Sequence, residues 1–249
     1  MTAVFTIARS EARLLTREWA AMVFAFVFPP ITMLIIAGSF GHQPDEEFAN
    51  LIPSEYYVAG YIGVPIAAIA LIALPVSLAS YRERDVLRRF AAFGVPTRSV
   101  VGAQALVGAG LVVVAALTVA AAALPTYGIP AMARPVEVVI GFAAATGTLL
   151  AIGVALGLAV KSARGAQAIG LLAFFPMFLL SGGGPPAAVM SAPMRRVADV
   201  LPLTHAIGAI RDPWLDDGAI GGHLVALAVW LVVGLAGAAA LIRRTTNAT

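Results

Sequence analysis

The sequence predicts an all-α membrane protein. It has six transmembrane helices, an N-terminal amphipathic interfacial helix, a short cytoplasmic helix between spans two and three, and an extracellular re-entrant helical hairpin between spans five and six. Three observations carry this. Hydrophobic residues make up 60% of the 249 and charged residues only 12%, against roughly a quarter charged in an average soluble domain. Several apolar runs reach the roughly 20 residues that a helix needs to cross about 30 Å of hydrocarbon. These runs are continuously rich in Ala, Leu and Val, without the polar alternation of a membrane β-barrel. The arginines are distributed unevenly between the connecting segments, as expected for a chain that threads a membrane with a preferred orientation.

The elements follow in chain order. TIARSEARLLTREWA mixes Ile7, Leu14 and Leu15 with Arg9, Arg13 and Arg17 and ends at Trp19, which suits a helix lying on the interface over residues 1–19. It lacks a short apolar core followed by a small-residue cleavage site, so no cleavable signal peptide is expected. Spans are expected near 20–40, 57–80, 100–124, 137–160, 166–181 and 223–242. An even number places both termini on one side. Twelve of the 16 basic residues (Arg9, Arg13, Arg17, Arg82, Arg84, Arg88, Arg89, Arg98, Lys161, Arg164, Arg243 and Arg244) then fall on that side. The other face receives Arg134, Arg195, Arg196 and Arg211 with nine of the 13 acids. The positive-inside rule makes the first side cytoplasmic, in the cell membrane, with both termini inside. Residues 1–249 read as one membrane domain without internal repeats.

Two connections are long enough to carry function: 81–99 on the cytoplasmic side and 182–222 outside. In YRERDVLRRFAAFGVPTRSV, Val86, Leu87, Phe90 and Phe93 recur at helical spacing among Arg82, Arg84, Asp85, Arg88 and Arg89, and Gly94 and Pro96 end the pattern. Such a helix suits either anionic lipid headgroups or a groove on a cytoplasmic protein that takes Leu87 and Phe90, with Glu83 and the arginines setting orientation. Periodicity does not choose between these.

The outer segment begins with FLLSGGGPPAAVMSAPM, where three glycines and two prolines stop span five while apolar character continues. Ala187–Met190, Arg195–Val200 and Leu203–Arg211 read as short helical pieces, the last ending before Pro213. None spans. Irregular backbone at membrane depth needs protein or a water-filled cavity around it. The segment is therefore expected to dip into the outer leaflet as a lid, the alternative being an apolar surface loop. Arg195, Arg196 and Asp199 are expected at its tip, and Arg211-Asp212 and Asp216-Asp217 near the next interface.

Other chemistries lack their residues. The one lysine, Lys161, stands in GLAVKS, outside any Gly-rich phosphate loop, so no ATP hydrolysis by that route is expected of this chain. There is no cysteine, and His42, His205 and His223 have no metal-ligand spacing. A net charge of +3 with dispersed arginines does not suggest nucleic acid. The spans hold almost no ionisable group, which counts against ion coupling. Ser181 with His205 or His223 leaves an intramembrane serine hydrolase as an alternative function, and a non-transporting assembly subunit as another. Pro29, Pro30, Pro65 and Pro75 are candidate hinges in spans one and two.

FFPMFLLSGGGPPAAVMSAPMRRVADVLPLTHAIGAIR, residues 174–211, resembles the C-terminal signature of the type-2 ABC transporter permeases. The matching positions are Ser181, Gly182, Pro186, Pro193, Pro202, Leu203, Thr204, His205 and Arg211. The segment from Tyr81 to Gln104 resembles the family's loop between spans two and three, with Glu83, Leu87, Arg88 and Pro96 matching, Asp85 replacing a usual glycine and Gly94 a frequent proline. The resemblance implies a permease half that dimerises, as a homodimer or heterodimer, and binds two separate ABC-type ATPase subunits. These would hold the ATP and Mg; no cofactor or metal belongs to this chain. It further implies that residues 81–98 form the coupling helix, with Glu83, Arg84, Leu87, Arg88 and Phe90 contacting the ATPase. Residues 182–222 would form the outer gate, and substrate would leave between spans one, two and five of the two halves. Short members rich in Ala, Val and Arg resemble daunorubicin-resistance-type drug exporters, which points to a multidrug or antibiotic-resistance role with a hydrophobic or amphipathic substrate.

Overall fold

A computed structural model describes residues 22–40 and 43–246, with backbone alone for 244–246. The expected interfacial helix, with Arg9, Arg13, Arg17 and Trp19, lies outside the described residues, as does His42. The described residues form helices and contain no strand, only an isolated bridge between Asp45 and Leu51.

Five helices are long and apolar enough to cross a membrane: α2 (Pro53–Glu83), α4 (Thr97–Ala123), α5 (Pro135–Ala159), α6 (Ala163–Gly183) and α9 (Gly221–Thr246). The first apolar helix, α1 (Val23–Gly38), is shorter, at the edge of the described residues. Three shorter helices complete the set: α3 (Val86–Ala92), α7 (Ala192–Ala198) and α8 (Pro202–Leu215). At about 1.5 Å per residue, the 14 residues of α8 fall well short of a membrane's width. The connection after α4 is tied back by Tyr127, whose hydroxyl donates to Leu34 O of α1 at 2.8 Å.

α2 is enclosed along its apolar length by its neighbours, whereas α4, α6 and α9 turn most of their apolar surface outward. α5 and α6 pack on the second half of α2, α1 on the first, and α8 wedges between α2, α5 and α9. A ring cluster joins α1 to α6: Phe28 meets Phe178 edge-on at 5.3 Å, and Phe174 stacks on Phe178 at 5.7 Å.

Every candidate hinge proline sits at the start of a helical segment just after a break or a wide turn. Pro29 and Pro30 follow the π-turn Val23–Val27, Pro65 follows Gly63, and Pro75 follows the π-turn Ile69–Ala73. A proline supplies no N–H to the carbonyl four residues earlier, so in an apolar surrounding that oxygen needs other cover. For Pro75 the freed oxygen is Leu71 O, and it faces Gly170 of α6 so closely that a Cβ there would collide with it. Pro213 repeats the device inside α8. Its freed carbonyl is Ala209 O, which faces Gly141 of α5, again with no room for a Cβ. Pro213 therefore does not end the third helical piece as its sequence suggests: the helix runs on to Leu215 because α5 covers the orphan carbonyl.

A second boundary also differs. The helix expected over 81–98 is divided: α2 continues through Glu83, Asp85 turns the chain with φ 54° and ψ 22°, and only Val86–Ala92 form α3. Aspartate is among the few non-glycine residues that tolerate this left-handed region. At the far end Gly94 takes φ 78°, with its N–H on Ala91 O at 2.9 Å and the Val95 N–H on Phe90 O at 2.9 Å. That pair of bonds is a Schellman stop, which glycine favours.

Candidate functional site: a clamped end and an open end

The residues of the broken segment gather at one end of the bundle. α6 loses helical geometry at Ser181 (φ −98°, ψ 17°) and Gly182 (φ 88°, ψ 5°). Two carbonyls released by this break are met by tyrosines of α2, neither singled out by sequence: Tyr61 Oη donates to Gly183 O at 2.6 Å and Tyr57 Oη to Gly184 O at 3.0 Å. Ser181 Oγ and Thr204 Oγ1 share a hydrogen bond of 2.9 Å, which fastens the break to the first turn of α8. Pro202 starts α8 and is buried; Pro186 is also buried, before a short turn at Ala187–Val189. Pro193 stands apart, exposed at the start of α7, and Arg195 and Arg196 are exposed on that helix.

Along α8 runs a chain of polar contacts. The Arg211 guanidinium lies 4.3 Å from the centroid of the Tyr56 ring and donates from Nη2 to Asp212 Oδ1 at 2.8 Å. Their side chains are only 16% and 11% exposed. Asp212 Oδ2 accepts from His223 Nε2 at 2.8 Å, His223 Nδ1 faces His205 Nδ1 at 3.2 Å, and His205 Nε2 donates to Asp199 O at 2.9 Å. Gly208 makes space for the His223 ring, since a Cβ there would lie 2.6 Å from Nε2. Burial works against the charge on Asp212, but the His223 hydrogen bond and the Arg211 guanidinium outweigh it and hold the carboxyl below the usual carboxylate range. Arg134 joins the same end to the connection before α5, pairing with Glu137 at 3.1 Å and Asp216 at 3.2 Å, while Trp214 Nε1 donates to Pro130 O at 2.9 Å.

A serine hydrolase needs its base within hydrogen-bond reach of the nucleophile. Both ring nitrogens of His205 and of His223 are engaged with one another, with Asp199 O and with Asp212, and Ser181 bonds Thr204 instead. The Ser181–His pair is not assembled. Among the described residues no group of three or more His, Asp or Glu is arranged to hold a metal ion.

The opposite end of the bundle carries α3. Leu87, expected to reach into a partner, is turned inward at 7% exposure, whereas Phe93 is 85% exposed. Phe90 is half-buried, and Arg84, Arg88 and Arg89 are exposed. Arg88 pairs loosely with Asp85 at 3.8 Å, both well exposed. The carboxylate of Glu83 is already engaged, accepting from Ala163 N at 2.9 Å.

The family model for the ABC-2 type transporter matches residues 2–213. The chain belongs to that family. The match takes in both ends just described and stops inside α8, before α9. No curated protein matches the chain. As an ABC-2 member it is a multi-pass membrane protein and a permease subunit of an ABC-type transporter, a family that works with ABC ATPase subunits. The glycines and prolines of the break were visible in the sequence; Tyr56, Tyr57, Tyr61, Asp212 and His223, which hold it, were not grouped there.

Proposed function

We propose that this ABC-2 permease exports a hydrophobic or amphipathic substrate of the drug, antibiotic or lipid type, driven by two separate ATPase subunits that bind at its α3 end. On this reading that end faces the cytoplasm with both termini, and the α8 end is the outer gate. The permease acts as a dimer whose α1, α2 and α6 flank the path. The observation that carries the reading is α3 itself: a seven-residue helix with Phe93 85% exposed beside Arg88 and Arg89. A large aromatic held in water beside exposed arginines is the composition of an interface anchor. Phe93 thus takes the anchoring role expected of Leu87, with Phe90 supporting it. ATP binding would draw the two ATPase subunits together, and the displacement of α3 would pass into the hinged α2 and open the α8 end.

The test is to purify the chain with an ABC-type ATPase from the same genome, sought first in the adjacent reading frames, and reconstitute the pair into inverted vesicles loaded with no drug. ATP-dependent uptake of daunorubicin, followed by its fluorescence and abolished by vanadate, is the expected result. Failure of the two proteins to associate would refute the partner assignment. Association with vanadate-sensitive hydrolysis but no drug movement would refute the substrate class.

A further inference from the structure

At the α3 end of the bundle, two consecutive residues of α2 reach across to the turn between α5 and α6. Arg82 Nη1 donates to Leu158 O and to Val160 O, the latter at 3.3 Å, and Glu83 Oε2 accepts from Ala163 N at 2.9 Å. The chemistry of the contacts is complementary. The last carbonyls of a helix have no partner within it and carry the negative end of its dipole, and the first N–H groups of a helix carry the positive end. A guanidinium thus meets the exit of α5 and a carboxylate meets the entry of α6, from neighbouring positions on one helix. Ser162, between them, caps Gly165 N at 3.2 Å, so the α6 entry is held by two side chains, one of them from α2.

We propose that Arg82 and Glu83 form a clasp through which displacement of α3 is delivered to α6, the helix that carries the Ser181-Gly182 break, and that Glu83 acts as a positioning residue rather than as a contact to the ATPase. The proposal rests on the reading of α3 as the ATPase-binding helix. Its geometric basis is independent of that reading. Only Arg84 and Asp85 separate the clasp from α3, so two residues of chain link the last turn of α2 to the start of α3. Without the clasp, a shift of α2 at this end would reach α6 only through side-chain packing, which yields by sliding. With it, the α6 entry is bonded directly to the moving end. The other end of α6 is where Tyr57 and Tyr61 hold the break, so a displacement of the helix bears on those two hydrogen bonds.

The chain has no cysteine, so paired cysteines can be introduced without first removing native ones. Leu117→Cys on α4 and Leu172→Cys on α6 lie on exposed apolar positions, 62% and 75% exposed, and accept spin labels. The complex with the ATPase is reconstituted in nanodiscs, and the label separation is measured without nucleotide and after trapping with ATP, Mg and vanadate. In the otherwise unaltered chain a nucleotide-dependent change in separation is expected. In Arg82→Ala and in Glu83→Ala that change should fall by at least half, while the ATPase still co-purifies and hydrolyses ATP. Glu83→Gln, which keeps an oxygen to accept from Ala163 N, should restore most of the change; a merely structural loss would not be rescued selectively. Phe93→Ala serves as the docking control and should lose the ATPase. An unaltered change in both alanine variants would overturn the clasp. Loss of the ATPase by Glu83→Ala, as in Phe93→Ala, would make Glu83 a docking residue and overturn it too. Absence of any nucleotide response in the unaltered complex would instead overturn the coupling reading, and the clasp with it.

Discussion

The two ends of this bundle are built differently. At the α8 end Arg211 and Asp212 are withdrawn from solvent and satisfied in series: Tyr56 under Arg211, Arg211 on Asp212, Asp212 on His223, His223 on His205, His205 on a backbone carbonyl. At the α3 end the charges stand in solvent, the one ion pair on α3 is long at 3.8 Å, and an aromatic ring is left 85% exposed. The first end is complete within one chain. The second is not. A surface pair of that kind contributes about 0–1 kcal/mol, whereas a buried network resists being opened, because each member removed strands the next. On the proposed reading a transporter would gain from that asymmetry: a gate at the α8 end would resist leakage without help, and the α3 end would remain available to the ATPase.

The sharpest way to break the comparison is to cut the α8 network. Arg211→Ala leaves Asp212 buried without its cation, and removing one partner of a buried pair costs about 3–5 kcal/mol. Thermal unfolding in nanodiscs should show this, and a paired change to apolar residues, Arg211→Met with Asp212→Leu, should recover part of it. A loss under about 1 kcal/mol, the range of a surface pair, would mean that the two ends are not distinguished by their ionic contacts. The matching cut at the other end is Phe93→Ala. With the ring 85% exposed, stability should move by less than about 0.5 kcal/mol. Affinity for the ATPase should fall about thirtyfold or more, the loss expected for an aromatic anchor worth about 2 kcal/mol, as read by titration of the detergent-solubilised pair. Destabilisation of the isolated chain without loss of binding would reverse the assignment.

The difference between the ends also marks what a sequence discloses. Long apolar runs were legible because burial in lipid is a property of a whole segment: span five was expected at 166–181 and the helix occupies Ala163–Gly183. Gly94 and Gly182 were legible as stops because a positive φ has few other occupants. Leu87 and Phe93 were legible as apolar members of a short helix, but periodicity cannot tell which of them the chain itself covers. The α8 clamp was hidden for a different reason. Tyr56 stands far from Arg211 and His223 in the chain, the latter two sit on separate helices, and nothing local to any of them signals the others. Pro213 shows the same effect in one residue. Read locally it stops a helix; placed against Gly141, which admits its orphan carbonyl, it does not.

A smaller effect tests whether the break in α6 belongs to the clamped end. Tyr61→Phe removes the donor to Gly183 O while keeping the ring, a net loss of about 1 kcal/mol if the carbonyl finds no other partner. In combination with Tyr57→Phe the loss should exceed the sum of the two single losses, because both hydroxyls hold neighbouring carbonyls of one turn. Strict additivity would show the two tyrosines to be independent supports rather than one clamp.

The smallest expected effect tests the α8 end by pH. Asp212 is held below the ordinary carboxylate value of 3.8, with the His223 hydrogen bond and Arg211 outweighing desolvation. In the unfolded chain the carboxyl takes up its proton near that ordinary value; in the folded chain it does so only at lower pH. The unfolded state therefore binds more protons as pH falls through the interval below 3.8, so stability declines there. The contribution is fully present above the unfolded value and is lost as pH drops through the folded one. Unfolding midpoints in nanodiscs, followed downward from pH about 5, should fall more steeply for the natural chain than for Asp212→Asn, which has no carboxyl to titrate. An acid limb unchanged by Asp212→Asn would attribute the acid response to other groups and not to the network that holds α8.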